Sequence, residues 1–230
     1  MYPNQIKTRE KEPFPWLTIE NFLPESIVRA AAASYDEMTD DKWVKYGGDD
    51  SGQIQYCNQL GRHNIPSAAL LVLDTIALKF DPNKEFGGLN EPKLTDNAFP
   101  DTEYYGGGMM LTPNTNSEGG YLGFHVDATT HGKHKNWKRE YSAILCLSED
   151  YDRSFDLEIR DNEGRSTTIP YKFNQLNVFK CSDSSWHGLP EITKGLDRKT
   201  LGVMYWSKIP DEAIDNVQVK AKFWNERQAA

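Results

Sequence analysis

The stretch YLGFHVD, Tyr121–Asp127, carries the decision about fold class because it belongs to a series. From about Phe99 the chain breaks into short β-like runs separated by turn chemistry. They are Gly108–Leu111, Tyr121–Asp127, Tyr141–Leu147, Phe155–Arg160, Ser166–Ile169, Gln175–Lys180 and Thr200–Ser207. Asn162-Glu163-Gly164 reads as a hairpin-like turn between two of them. Several short strands at this spacing predict a β-sandwich or barrel.

Upstream the texture is different. Leu23-Pro24-Glu25-Ser26 opens a helix through IVRAAAASYDEM, with Pro and an early Glu as start signals. A second helix begins near Ser67 and carries AALLVLDTIALKF, apolar on nearly every face, which predicts burial against something large such as a sheet. Between them Tyr46–Gly61 is rich in Gly, Asp and Asn and reads as loop. The tail Ala213–Ala230 is polar, with Phe223 and Trp224 suited to a last strand or helix packing back. The expected organisation is one domain over 1–230. Residues 1–98 form a helical support, 99–210 a β core and 211–230 a C-terminal extension.

The chain has 230 residues, 38% of them hydrophobic and 12% aromatic, so a sizeable core is expected and disorder is not. The net charge of −8 argues against a general nucleic-acid binder, which needs clustered Lys and Arg. It leaves room for a local basic pocket holding one small anion. Three cysteines, Cys57, Cys146 and Cys181, without a CxxC pair, disfavour a disulfide scaffold or a structural zinc site. Cys146 and Cys181 lie in apolar runs and read as buried small hydrophobes. The first residues, MYPNQIKTREKEPFPW, lack the apolar region of a signal peptide, and no apolar run is long enough for a transmembrane helix. The expectation is a cytoplasmic protein with no membrane or nucleic-acid partner.

Chemistry enters with Phe124-His125-Val126-Asp127. On a strand, residues two apart share a face, so His125 and Asp127 would project together into one cavity. Alone this pattern is weak. Trp186-His187-Gly188-Leu189-Pro190 follows the run Gln175–Lys180 and a serine-rich turn, and can supply a third ligand from a neighbouring strand. Two His and one carboxylate occupy one face of an octahedral ion and leave three positions open, as in non-haem Fe(II) oxygenases. Arg198-Lys199-Thr200 then opens the strand LGVMYWS. Its guanidinium can grip a carboxylate, and Thr200, sharing the strand face, can donate a further hydrogen bond.

The order HxD, H, R, each element at a β-like run, resembles the core of 2-oxoglutarate/Fe(II) dioxygenases, in particular the prolyl-4-hydroxylase-like branch. The stretches that carry the likeness are GGGMMLTPNTNSEGGYLGFHVD, REYSAILCLSEDYD, YKFNQLNVFKCSDSSWHGLPEI and RKTLGVMYW, within Gly106–Ser207. The resemblance implies a double-stranded β-helix (jelly-roll, cupin-like) core buttressed by α-helices. It implies iron on His125, Asp127 and His187, with 2-oxoglutarate held by Arg198 and Thr200. It further implies O2 as co-substrate and ascorbate as an accessory reductant. Arg139 falls where relatives acting on peptides carry a substrate-side Arg, and Trp206 is a candidate for the substrate pocket wall. The chain also departs from the pattern. Cys146-Leu147-Ser148 stands where relatives often have Tyr-Leu-Asn, and a second family Tyr falls near Thr112. Tyr121, Tyr104 or Tyr205 is left to supply a phenol, with Tyr121 taken as the co-substrate contact.

The main expectation is a hydroxylase of an unactivated C–H bond, with peptidyl proline as first choice and a small molecule or free amino acid as the alternative. A non-enzymatic cupin-like metal module and an interaction protein with a relic site are the competing classes; the first needs no Arg198 with Thr200, and the intact ligand set argues against the second. His131 and His134, in the Lys-rich stretch 128–138, read as solvated loop residues on a lid-like segment. His63 has no partner in sequence.

Overall fold

The computed structural model describes residues 5, 7–47, 53–58, 61–87, 98–104, 106–114, 119–214 and 221–223. Its elements run in chain order as follows. Strands β1 (Lys7–Glu10) and β2 (Trp16–Ile19) precede helix α1 (Glu25–Ala33). Strands β3 (Trp43–Gly47) and β4 (Gln53–Asn58) precede α2 (Ser67–Lys79) and α3 (Pro82–Phe86). The core continues with β5 (Phe99–Pro100), β6 (Gly108–Pro113), β7 (Tyr121–Val126), β8 (Trp137–Cys146), β9 (Leu157–Arg160) and β10 (Ser166–Ile169). It closes with β11 (Leu176–Lys180), β12 (Trp186–Leu189), β13 (Asp197–Lys208) and β14 (Lys222–Phe223).

The strands pair in the order β1-β2-β11-β8-β13-β6-β4-β7-β12-β9-β10, with β14 on β7, β3 on β4 and β5 on β13. Every described pairing is antiparallel, and the sheet curls on itself as a double-stranded β-helix. One layer is β1-β2-β11-β8-β13-β6 and the facing layer is β7-β12-β9-β10. β4 bridges them by pairing with both β6 and β7. Residues 157–169 form the expected hairpin, with Arg160 opposite Ser166 and Gly164 at a φ of 83°, where a side chain is strained.

Helix α2 closes the outer face of the first layer. Ala69, Val72, Leu73 and Ile76 recur at helical spacing and are fully buried. They meet Leu201, Val203 and Tyr205 from one face of β13, together with Val28 and Ala31 from α1. Burial is one-sided, however: Leu71 is 56% exposed and Leu78 85%. Tyr35, just past α1, bridges the carbonyls of Met110 and Thr200 from a buried hydroxyl and ties the helical layer to β6 and β13.

Three sequence expectations are corrected here. The first third is not only helical, since β1 to β4 all join the sheet. Trp16–Ile19 is wholly buried and pairs with β11, although four residues carry little periodic signal. Tyr46–Gly61 is not simply loop. Its described residues form most of a hairpin in which Val44 faces Cys57 and Tyr46 faces Gln55. The Gly- and Asp-rich composition of the segment hid these strands. Finally, His131 is not solvated: it is 3% exposed, packed between Trp137 and Trp206, while His134 is exposed and stacks on Trp137. Of the tail, Lys222–Phe223 pairs with β7, whereas Trp224 lies outside the described residues. Among the described residues no helix is long and apolar enough to cross a membrane.

Candidate metal centre and co-substrate pocket

His125 on β7 and His187 on β12 are direct partners in the ladder. Their ring centroids lie 4.2 Å apart. Asp127 follows two residues after His125 and returns to the same side. Its Oδ1 lies 3.5 Å from His125 Nε2 and its Oδ2 3.9 Å from His187 Nε2. One ligand atom from each of the three lies within 4.8 Å of the others, and no other group of His, Cys, Asp or Glu gathers this closely among the described residues.

The backbone orients both rings. His125 Nδ1 lies 3.0 Å from the Gly123 carbonyl and His187 Nδ1 3.0 Å from the Ser185 carbonyl. A carbonyl only accepts, so each Nδ1 carries the proton and each Nε2 presents a lone pair to the shared space. Burial pushes His187 down to about 4, reinforced by the neighbouring His125 and opposed by Asp127. The ring therefore stays neutral, the state a metal requires. Burial works against the charged form of Asp127, yet the Arg139 cation opposes it and the carboxyl is held well below its ordinary range.

Two irregularities in the sheet decide which side chains reach the cavity. In the β7–β12 ladder the register passes from His187 opposite His125 to Leu189 opposite Leu122, so β7 holds one extra residue. Leu122 and His125 consequently both line the cavity. Tyr121, next to Leu122, is turned to the other face and is not among the lining residues. In the β8–β13 ladder Trp206 faces Arg139 but Tyr205 faces Tyr141, so Glu140 is an extra residue. Straight alternation would put Arg139 with Tyr141 on the helix side. The bulge instead turns it into the cavity beside Ser142 and Ile144.

The cavity has a volume of about 430 Å³ and contains all three ligand candidates with Arg139, Arg198 and Thr200. Arg198 and Thr200 arrive from the inner face of β13 and are 4% and 1% exposed. Arg198 Nε donates to the Phe155 carbonyl at 3.0 Å, and its guanidinium lies 5.2 Å from the Tyr171 ring centre. Ile144, Leu157, Phe179, Leu189 and Met204 form the apolar wall. Trp206 is not on the wall; it lies behind Arg139, whose guanidinium is 5.2 Å from its ring centre.

Cys146, at the position where relatives often have Tyr, is fully buried, accepts from Asn177 Nδ2 at 3.5 Å and does not line the cavity. The Tyr104 hydroxyl donates to Asp74 and that of Tyr205 reaches the carbonyls of Ile76 and Phe80, so both are committed elsewhere. Among the described residues the tyrosine on the cavity wall is Tyr46, accompanied by Gln55 and Cys57. Sequence reading missed these because it took their hairpin for a loop; the alternation Val44–Tyr46 and Ile54–Tyr56 was the available signal. Ala221 and Phe223 of the tail complete the rim, with Phe223 stacked on His125 at 5.5 Å between ring centroids.

The donor set fits a divalent ion with open coordination positions. Its two imidazoles and one carboxylate suit iron, and a buried guanidinium in the same cavity suits a dicarboxylate. Residues 101–206 match the family model described as the 2OG-Fe(II) oxygenase superfamily. That match and the donor set together support a dioxygenase that uses Fe(II), 2-oxoglutarate and O2. No curated protein matches it in sequence. A prolyl-4-hydroxylase of Pseudomonas putida is similar over 85% of this chain and 93% of its own, at 18% identity and a TM-score of 0.55. A viral collagen prolyl hydroxylase of Paramecium bursaria Chlorella virus-1 is similar over 84% and 96%, at 15% identity and a TM-score of 0.50. A non-haem α-ketoglutarate-dependent carbocyclase from nogalamycin biosynthesis is similar over 84% and 79%, at 14% and 0.54. At these identities the likeness is one of fold.

Proposed function

We propose that the chain hydroxylates an unactivated C–H bond, with a prolyl residue of a peptide or protein as the leading substrate. His125, Asp127 and His187 would hold the iron, and Arg198 with Thr200 would hold the distal carboxylate of 2-oxoglutarate. The observation that carries this reading is the meeting of both sets in one cavity. Bound iron, 2-oxoglutarate and O2 together supply an oxidant able to take hydrogen from carbon, with 2-oxoglutarate converted to succinate and CO2. The chain supplies position and dryness. Each Nε2 is aimed by a backbone carbonyl, and the Arg198 charge offsets desolvation of the acid. The wall from Ile144 to Met204 keeps water from the reacting carbon. An intact carboxylate at Asp127 favours hydroxylation over halogenation, which needs room for a halide.

A free amino acid or small molecule is the second reading. A cavity of about 430 Å³, narrowed at the rim by Tyr46 and Phe223, favours it. Ascorbate as accessory reductant and a cytoplasmic location belong to the same proposal; the three free cysteines support a reducing compartment. The test is a succinate-coupled screen of proline-containing peptides against free amino acids. Peptide-dependent succinate supports the first reading and amino-acid-dependent succinate the second. Substrate-independent silence across both sets counts against each.

A further inference from the structure

We infer that Arg139 is a positioning residue that occupies Asp127 Oδ2 and so leaves Oδ1 alone to ligate an ion. This rests on the iron reading of the three ligands. Arg139 Nη1 forms an ion pair with Asp127 Oδ2 at 2.8 Å. Ser142 Oγ donates a hydrogen bond to the same oxygen at 3.4 Å. Oδ1 has neither partner and faces His125 Nε2 at 3.5 Å. The two carboxylate oxygens are thus differentiated by the protein itself.

The guanidinium is held in place for this. The bulge at Glu140 delivers Arg139 to the cavity side. Its backbone N–H donates to the Thr129 carbonyl at 2.8 Å, linking β8 to the segment that follows Asp127. The Trp206 ring supports its plane from behind, and Trp206 itself packs on buried His131. On another side stands Gly106, where a Cβ would come 3.1 Å from Arg139 Nη2. With a φ of 80°, Gly106 also favours glycine for conformational reasons. Arg139 Nε is buried without a hydrogen-bond partner. The side chain therefore gives up one hydrogen bond while keeping the pairing with Asp127.

The consequence concerns coordination number. A carboxylate that binds through both oxygens takes two positions on an ion. The three open positions of a two-His, one-carboxylate site exist only while it binds through one. By engaging Oδ2, Arg139 keeps the third position open. Its removal should not abolish metal binding, because it also removes a cation beside a dication. What should suffer is the space for 2-oxoglutarate and O2.

The experiment uses the full chain loaded with Co(II), comparing the unaltered protein with Arg139→Gln and Arg139→Lys. In Arg139→Gln, Co(II) should bind at the same stoichiometry. Its visible absorption should lose intensity, as expected for a higher coordination number. Apparent affinity for 2-oxoglutarate should weaken by roughly tenfold or more, the scale of outer-shell changes at metal sites. Arg139→Lys, which keeps the charge, should recover part of both signals. If Gln does not fold, Arg139→Met, which keeps the apolar stem over Trp206, carries the same readouts. An unaltered spectrum and 2-oxoglutarate affinity in Arg139→Gln overturns the inference. So does a change confined to the KM of the C–H substrate, which would make Arg139 a substrate contact. Failure of the unaltered protein to bind Co(II) overturns the iron reading itself, a result distinct from either.

Discussion

His187 stands directly across the ladder from His125, its ring 4.2 Å away, and a one-residue bulge in β7 separates this pair from the next, Leu189 opposite Leu122. Each strand thus contributes one imidazole at the same height in the barrel, and the chain direction after β7 adds Asp127. Replacing His187 or Asp127 with Ala leaves two donors from this set. Isothermal titration should then show stoichiometric metal binding in the unaltered protein and none in either variant. Retained binding in both would place the metal elsewhere.

Arg198 is expected to act on the co-substrate and not on the metal. A hydrogen bond to a charged group contributes about 1.5–3 kcal/mol. At about 1.4 kcal/mol per tenfold, Arg198→Ala should raise the 2-oxoglutarate requirement by roughly 10- to 150-fold while metal affinity stays unchanged. An unchanged requirement would remove Arg198 as the anchor. Tyr121→Phe, by contrast, should leave that requirement unaltered, since the bulge turns Tyr121 from the cavity.

The segment 128–138 carries a pH dependence of its own. His131 Nδ1 accepts from the backbone N–H groups of Lys133 and His134, both at 3.0 Å, and Nε2 lies 3.4 Å from Asp101 Oδ2. Burial lowers its pKa below the ordinary value, although Asp101 resists. The unfolded chain therefore takes up a proton more readily. Stability from this group is fully present above about pH 6.5 and is lost as pH falls toward the folded-state value. Proteolysis within 128–138 should accelerate between about pH 7.5 and about pH 5.5. A flat rate would show that His131 does not hold the segment.

Helix α2 offers a paired test of packing. Leu73→Ala, at a fully buried site, should cost about 2–5 kcal/mol. Leu78→Ala, at a site 85% exposed, should stay within about 0.5 kcal/mol. Chemical denaturation measures both, and equal costs would contradict the one-sided packing of the helix on β13.

That pair also marks how far sequence carries. The apolar run of α2 announced burial but not which face, because periodicity is weak when nearly every position is apolar. The β core was legible in its regular short runs, and strand parity put His125 with Asp127, while His187 joined them through the resemblance to the dioxygenase family. Parity failed wherever a bulge intervened. Carried back from His125 it would turn Tyr121 toward the cavity, which the β7 bulge prevents, and it offers no route to Arg139 in the cavity, since the Glu140 bulge has no signature in composition. The strands β2, β3 and β4 were hidden for another reason. Each is short, β2 and β4 pair with strands distant in sequence, and β3 reaches the sheet through β4. Tyr46, Gln55 and Cys57 came to the cavity with those strands.

The central claim is that one cavity holds both the ion and the co-substrate. It is tested most directly without any C–H substrate, by anaerobic titration of the Fe(II)-loaded protein with 2-oxoglutarate. Chelation of the keto acid by iron gives a visible charge-transfer band. The expected result is a saturable band in the unaltered protein, absent in His187→Ala and shifted to higher 2-oxoglutarate concentration in Arg198→Ala. No band in the unaltered protein, or an equal one in all three, would contradict the account.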